Sequence, residues 1–172
     1  GAIDARHRES LIKLADRTDA LLATTLKAKG LFRGHDFDLG VFGTLSTPIA
    51  TDLIMQSDCV VAFGASLNQY TSATGSLLKG KRVIQCNITR EDIGRFEQPT
   101  VGVVGDPALT ADLFVHWLDE AEIPGSGFRS PEILEQLQDY SFERDLDDKS
   151  TANTVDVTRS LLRLNNAVPE NR

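Results

Sequence analysis

Apolar positions along the chain alternate between short strand-like runs and stripes with helical spacing. Apolar runs predict strands at 20–25, 59–63, 81–88 and 100–104. Stripes of apolar residues three and four positions apart predict helices over about 4–16, 47–57, 106–120 and 131–140. Strands that alternate with helices are typical of parallel βαβ units. The strand at 59–63 is apolar on both faces, so we expect a three-layer α/β domain with a mostly parallel sheet.

Two of the predicted helices carry clear start signals. Thr47 and Asp106 are expected N-caps, and each precedes a proline at the first helical position. In the helix that follows Asp106, Leu109, Leu113 and Trp117 repeat at every fourth residue. The intervening segment 26–43 is rich in glycine and polar residues and is predicted to be a loop.

Beyond Ile123 the composition of the sequence changes. The segments "PGSGFRS" and "DLDDKST" are predicted linkers on either side of the short helix "PEILEQLQDY". A last helix is predicted to place Val157, Leu161, Leu164 and Val168 on one face. We therefore expect three parts: a main domain over 1–126, a linker with a short helix over 127–154, and an amphipathic segment over 155–172.

Composition and charge restrict the classes of function. The chain of 172 residues is long enough for one domain with a real core. Its net charge of -7 disfavours nucleic acid as a partner, and no apolar run approaches the length that spans a membrane. No signal peptide is apparent, and Cys59 and Cys86 lie in apolar runs, where small buried hydrophobic residues are expected. These features favour a cytoplasmic protein, and three scattered histidines predict no metal site.

The candidate chemistry lies where the predicted strands end. Polar or glycine turns follow all four strands, at Thr24–Thr25, Gly64–Ser66, Asn87–Thr89 and Gly105–Asp106. In an open parallel sheet the carboxyl ends of the strands share one edge, which is where ligands bind. Neither a GxGxxG nor a Walker A motif is present. Two interpretations stay open: a nucleotide-sized crevice, or glycines that only permit tight turns.

A serine hydrolase, with Ser66 of the same turn as its nucleophile, is an alternative hypothesis. "GASLN" follows a strand as a nucleophile elbow does, and Asp106 and His116 come later in the order serine, aspartate, histidine. Against this, Asn68 stands where the elbow needs glycine, and His116 falls in the middle of a predicted helix. A third hypothesis is an interaction domain that binds no small molecule.

Several stretches together resemble the central domain of thiamine-diphosphate-dependent enzymes, the family of acetolactate synthase, benzoylformate decarboxylase and oxalyl-CoA decarboxylase. The resemblance runs from the first residue to about Ile123, and its carriers are the opening "GA", "TTLKAKGLF", "LGVFGT", "SDCVVAFGASLNQYT", "RVIQCNITREDIG" and "VVGDPALTADLF". It implies a Rossmann-like parallel sheet, and since the chain starts at the turn of Gly1 and Ala2, we expect the first strand of that sheet to be missing here.

The resemblance also implies a role without chemistry for this domain. In the family the central domain holds FAD, holds ADP, or binds nothing. Carried over by position, Gly64, Ala65 and Ser66 would face the diphosphate or ribose, with Thr24 and Thr25 along the same edge. Asn87 and Ile88 would face the adenosine part, and Gly105 and Asp106 the adenine end. Flavin-binding relatives often have arginine at the place of Ser66 and an acidic residue in the place of the "CNIT" stretch, so ADP is at least as well favoured as FAD.

The resemblance implies that the catalytic machinery lies outside this chain. In the family, thiamine diphosphate and magnesium are held by a pyrophosphate-binding and a pyrimidine-binding domain, which would be the partners of this one. The segment "TVDVTRSLLRLNNAVPENR" is similar to the first helix of the pyrophosphate-binding domain. The resemblance therefore implies a fragment of a homodimeric or homotetrameric lyase or transferase that acts on 2-oxo acids or acyl-CoA, with no catalytic residue in the fragment itself.

Overall fold

The computed structural model describes residues 5–168. The expected turn at Gly1 and Ala2, the predicted helix start at Asp4 and the last four residues lie outside the described residues. In chain order the elements are α1 (Ala5–Thr18), β1 (Leu22–Thr24), β2 (Asp38–Val41), α2 (Pro48–Gln56), β3 (Cys59–Phe63), β4 (Arg82–Asn87), β5 (Val101–Val104), α3 (Pro107–Glu120), α4 (Pro131–Asp139) and α5 (Val157–Ala167).

The strands form two parallel sheets, which confirms the predicted α/β fold. β1 pairs with β2, and β3, β4 and β5 pair in that order. β3 and β4 are in continuous register from Cys59 beside Arg82 to Phe63 beside Cys86. None of the helices between residues 5 and 168 is long and apolar enough to cross a bilayer.

Helices cover both faces of the β1–β2 sheet, as a layered α/β domain requires. Leu22 of β1 belongs to a buried cluster with residues of α1 and α3. Its neighbours Leu21 and Ala23 pack against a different cluster, which includes Leu53 of α2 and Ile133 of α4. Successive strand residues point to opposite faces, so this alternation places one helical layer on each side.

The start of α2 agrees with its predicted cap, whereas the buried face of α3 differs from the predicted stripe. Thr47 Oγ1 accepts a hydrogen bond from the backbone N–H of Ala50 at 3.3 Å. In α3 the buried residues include Ala108, Ala111 and Val115. Small alanines let α3 approach α1 closely. The predicted stripe is solvent-exposed instead: Leu109 by 68%, Leu113 by 51% and Trp117 by 60%.

β2 corrects the prediction of an unbroken loop between β1 and α2. Residues Asp38–Val41 pair parallel with β1, with a shift in register between Leu22 and Thr24. Leu39 is buried, while Gly40 has a φ of 76°, a left-handed conformation that interrupts regular extended geometry. A strand of four residues with glycine inside it carries too weak an apolar pattern to be recognised.

The two cysteines differ in their surroundings, so the expectation that both are buried is wrong for one of them. Cys86 in the central strand β4 is fully buried, and burial raises the pKa of its thiol. Cys59 is exposed, because it begins β3, a strand at the edge of its sheet.

The first compact unit extends to Gln138, so the segment predicted as a linker belongs in part to the core. Ser126 N and Oγ both donate to the carbonyl of Thr18, at 3.1 and 2.8 Å. Arg129 donates to the Ala20 carbonyl and to the Asp16 carboxylate at 2.6 Å, and its guanidinium lies 4.7 Å from the ring centre of Phe37. These bonds dock the chain before α4 onto the end of α1.

The second compact unit begins at Asp139 and contains α5. Asp156 caps α5 by accepting from the N–H groups of Thr158 and Arg159. Arg159 forms an ion pair with Asp148. Leu161 and Leu164 of the predicted apolar face are mostly exposed.

We predict that Ile133→Ala destabilises the first unit by about 2 to 4 kcal/mol, because it leaves a cavity beside Leu53 and Leu77. Urea denaturation followed by circular dichroism measures the loss. Glu135→Ala, an exposed position in the same helix, is the control and is expected to change stability by less than about 0.5 kcal/mol. Equal effects of the two substitutions would show that α4 does not belong to this core.

Candidate functional site

Three turns meet around the end of β4. Gly64, in the turn after β3, donates its N–H to the carbonyl of Cys86 at 2.8 Å. Gly105, in the turn after β5, donates its N–H to the carbonyl of Asn87 at 2.9 Å. The turns at 64–66, 87–88 and 105–106 therefore lie side by side at the carboxyl edge of the three-stranded sheet. We call this place the carboxyl-edge crevice.

Gln85 holds the first turn in position, a role that the sequence analysis missed. Its side chain is fully buried and donates from Nε2 to the carbonyls of Ala65 at 3.0 Å and Asp92 at 3.2 Å. Its Oε1 accepts from the N–H of Gly94 at 2.9 Å. The available signal was an amide residue in the middle of the apolar run of β4, where an unpaired polar group would be costly.

Asn87 lies two residues further along the same face of β4. Only 7% of the residue is exposed, and its Nδ2 has no hydrogen-bond partner among the described residues. Leaving a buried donor unpaired costs about 1 to 3 kcal/mol. The adjacent Ile88 is 68% exposed and offers apolar surface at the rim of the crevice.

The two glycines of the crevice are required by the backbone and by packing. Gly64 has a φ of 63°, in the left-handed region where glycine is favoured. At Gly105 a Cβ atom would lie 2.6 Å from Thr110 Oγ1 of α3, so a side chain there would require Thr110 to shift. Both positions are thus explained by the fold, and both also leave the backbone of the crevice uncovered.

Asp106 is engaged by the protein on both of its carboxylate oxygens. Oδ1 accepts from the N–H groups of Ala108 at 3.0 Å and Leu109 at 3.1 Å, so Asp106 is the predicted N-cap of α3. Oδ2 lies 3.3 Å from His7 Nε2 and 3.3 Å from a guanidinium nitrogen of Arg6. The backbone hydrogen bond from Leu109, with His7 and Arg6, holds the pKa of Asp106 below its usual value.

Thr24 and Thr25 end β1, which pairs with β2 and not with the sheet of the crevice. Thr24 Oγ1 donates to the carbonyl of Gly40 at 3.3 Å, and Thr25 precedes a short 3-10 helix. No described hydrogen bond connects these threonines to the turns at 64–66, 87–88 or 105–106. Their membership of one continuous site stays a prediction.

The groups of the hydrolase hypothesis are not joined by any described hydrogen bond. Asp106 bonds to His7, whereas His116 lies ten residues further on and is exposed, with its ring 5.1 Å from that of Trp117. Ten residues of helix correspond to about 15 Å along the axis. The geometry therefore places His116 on the outer surface of α3 and away from the turn that contains Ser66.

The fold and the site define a parallel α/β domain in which three adjacent turns lie at the carboxyl edge of a three-stranded sheet. The family described as "Thiamine pyrophosphate enzyme, central domain" matches residues 1–114. The chain belongs to this family.

Curated relatives agree with this assignment. The chain is 30% identical over 128 residues to the acetolactate synthase of Mycobacterium bovis, which covers 73% of this chain and 21% of that protein. It is 31% identical over 112 residues to the acetolactate synthase large subunit of Parasynechococcus marenigrum, or 64% of this chain and 18% of the relative. A probable sulfoacetaldehyde acetyltransferase of Rhizobium meliloti is 27% identical over 126 residues, which cover 70% of this chain and 21% of that protein. The chain thus spans about a fifth of the length of these relatives.

We predict that Asp106→Asn destabilises the protein at neutral pH and has a smaller effect below about pH 4. Asparagine keeps the helix cap but removes the charge that faces His7 and Arg6. Because folding lowers the pKa of Asp106, its contribution is present above the ordinary carboxyl pKa and is lost as pH falls through the lowered value.

Urea denaturation of wild type and variant at pH 7 and pH 3 measures this difference. Glu120→Gln, an exposed substitution at the other end of α3, is the control and should leave stability nearly unchanged at both values. A gap between wild type and Asp106→Asn of the same size at both pH values would contradict the assignment.

Proposed function

We propose that this chain is the non-catalytic central domain of a larger thiamine-diphosphate-dependent enzyme. The observation that carries the proposal is the match of the central-domain family to residues 1–114, in a chain that spans about a fifth of its relatives. Its role there is to scaffold a pyrimidine-binding and a pyrophosphate-binding domain. The parent is a lyase or transferase that acts on 2-oxo acids or acyl-CoA.

Thiamine diphosphate and magnesium belong, in this proposal, to the other domains of the parent. The described side chains do not fit the metal, since no three His, Cys, Asp or Glu residues between 5 and 168 are grouped so as to hold an ion. No catalytic step is therefore assigned to residues of this chain.

The second part of the proposal is an adenine-nucleotide site, for ADP or FAD, in the carboxyl-edge crevice. Its support is the unpaired Nδ2 of Asn87, a buried donor between two turns whose glycines leave the backbone uncovered. An acceptor atom of a bound ligand would satisfy this donor. Exposed Ile88 supplies apolar contact for a ring at the rim, where burial of the side chain favours binding.

We predict that the isolated chain does not bind thiamine diphosphate in the presence of magnesium and does not decarboxylate 2-oxo acids. Isothermal titration calorimetry and an assay for released carbon dioxide are the measurements. A full-length relative that contains all three domains is the positive control. Saturable micromolar binding to the isolated chain would refute the domain assignment.

We predict that Ile88→Asp weakens ADP binding by at least about tenfold, because it removes apolar contact and adds negative charge next to the ligand. Equilibrium dialysis with ADP and with FAD measures the affinity. Met55→Asp at the end of α2 introduces the same change at another exposed position and is expected to leave binding unaltered. If both variants bind ADP as wild type does, the nucleotide binds elsewhere.

A further inference from the structure

β5 leaves one edge of the three-stranded sheet open. Among residues 5–168 its only neighbouring strand is β4, in a parallel ladder that sets Val104 opposite Asn87. Gly105 donates its N–H to the carbonyl of Asn87 at 2.9 Å. In a parallel ladder this bond means that the N–H and C=O groups of Val104, and by alternation those of Gly102, point away from β4. The outer edge of β5 therefore presents backbone donors and acceptors that β4 does not use.

This edge lacks the common protection against pairing with another chain. Edge strands usually carry charged residues, prolines or bulges, which keep further strands from adding to the sheet. β5 has the sequence VGVV, without charge or proline, and it pairs with β4 in continuous register. Both Val101 and Val104 are exposed. The edge is therefore open, apolar and regular.

α3 lies on the face of the sheet to which Val103 of β5 points. Phe63 is opposite Cys86 in register, and Cys86 is opposite Val103, so these three side chains share one face. The ring centre of Phe63 lies 6.3 Å from that of Phe114 in α3. The middle of α3 is therefore at the level of Val103 along the strands.

α3 has an exposed apolar stripe on the side that faces away from α1. The stripe consists of Leu109, Leu113 and Trp117. Ala111 and Val115 belong to a buried cluster with residues of α1. Residues two apart on a helix point in nearly opposite directions, so Leu113, which stands between them in the chain, faces away from α1. Phe63 of β3 packs against the same cluster, and β5 forms the other edge of the sheet, so the stripe faces the β5 edge.

We propose that β5 pairs antiparallel with β5 of a second copy of this chain, while the exposed stripes of the two α3 helices pack against each other. A twofold axis at Val103 joins Gly102 of each copy to Val104 of the other by backbone hydrogen bonds. Leu113, next to Phe114 in the chain, lies near this axis. A second copy brings the same open edge and the same stripe, so one contact covers both features in each chain.

The size of this interface predicts a weak, reversible dimer. The stripe together with Val101 and Val104 would bury roughly 1,000 Å² over the two copies, which is about the lower limit for a specific interface. Dissociation constants of the order of 10 to 100 μM are expected for a contact at this limit.

The test is sedimentation velocity of the full 172-residue chain between about 3 and 300 μM. We expect a monomer–dimer equilibrium in this range. Leu113→Glu is expected to weaken the dimer at least about tenfold, because it brings two carboxylates together near the axis. Leu161→Glu, at an equally exposed leucine of α5 in the second unit, is the matched control and should dimerise as wild type does.

Hydrogen exchange of the wild type tests the strand pairing itself. The amides of Gly102 and Val104 should exchange at least about threefold more slowly at 300 μM than at 3 μM, whereas those of α5 should not change. Thermal midpoints of both variants at 3 μM are expected within about 3 °C of wild type, because both positions are exposed.

Three results would overturn the inference. The first is a wild-type chain that stays monomeric up to about 300 μM, which would leave the β5 edge and the stripe to a different partner. The second is a dimer that Leu161→Glu dissociates and Leu113→Glu does not. The third is a dimer in which Gly102 and Val104 gain no protection from exchange.

Discussion

The carboxylate of Asp106 joins the two helices that cover one side of the sheets, and much of the site's chemistry depends on it. One oxygen fixes the start of α3 by accepting from two backbone amides, while the other faces Arg6 and His7 of α1. Formation of α3 and its packing on α1 are thereby linked. Because the carboxylate occupies the helix N-terminus, the position that binds phosphate in many α/β proteins is used here for folding.

Two amide side chains on β4 differ in whether the fold satisfies their hydrogen bonds. The turn after β3 and the loop after β4 close over Gln85 and satisfy its donors and acceptor. Neither segment reaches the side-chain nitrogen of Asn87, although that atom is buried as well. Gln85 and Asn87 differ in their position along the strand. The loop after β4 contacts Gln85, whereas Asn87 is the last residue of β4 and lies at the edge of the sheet.

Much of the fold was predictable because its signals are local. The apolar runs of β3, β4 and β5 and the caps at Thr47 and Asp106 depend only on neighbouring residues. Three features could not be predicted, because they depend on tertiary contacts: the strand β2 around Gly40, the alanine face of α3, and the docking of Arg129. For the crevice, the sequence indicated the turns at Gly64 and Gly105. It could not show that Asp106 is engaged by α1, that Gln85 braces a turn, or that Asn87 lacks a partner.

A scaffold domain and a ligand site need not compete for the same residues in this chain. The glycines of the crevice are explained by backbone conformation and by the approach of Thr110, and Asp106 is explained by capping. These features would be present in a domain that binds nothing. The buried donor of Asn87 is different, because it lowers stability and no contact in the described residues compensates for it. An apolar residue of similar size would be the more stable choice at that position, so the amide is the part of the crevice that the fold alone does not explain.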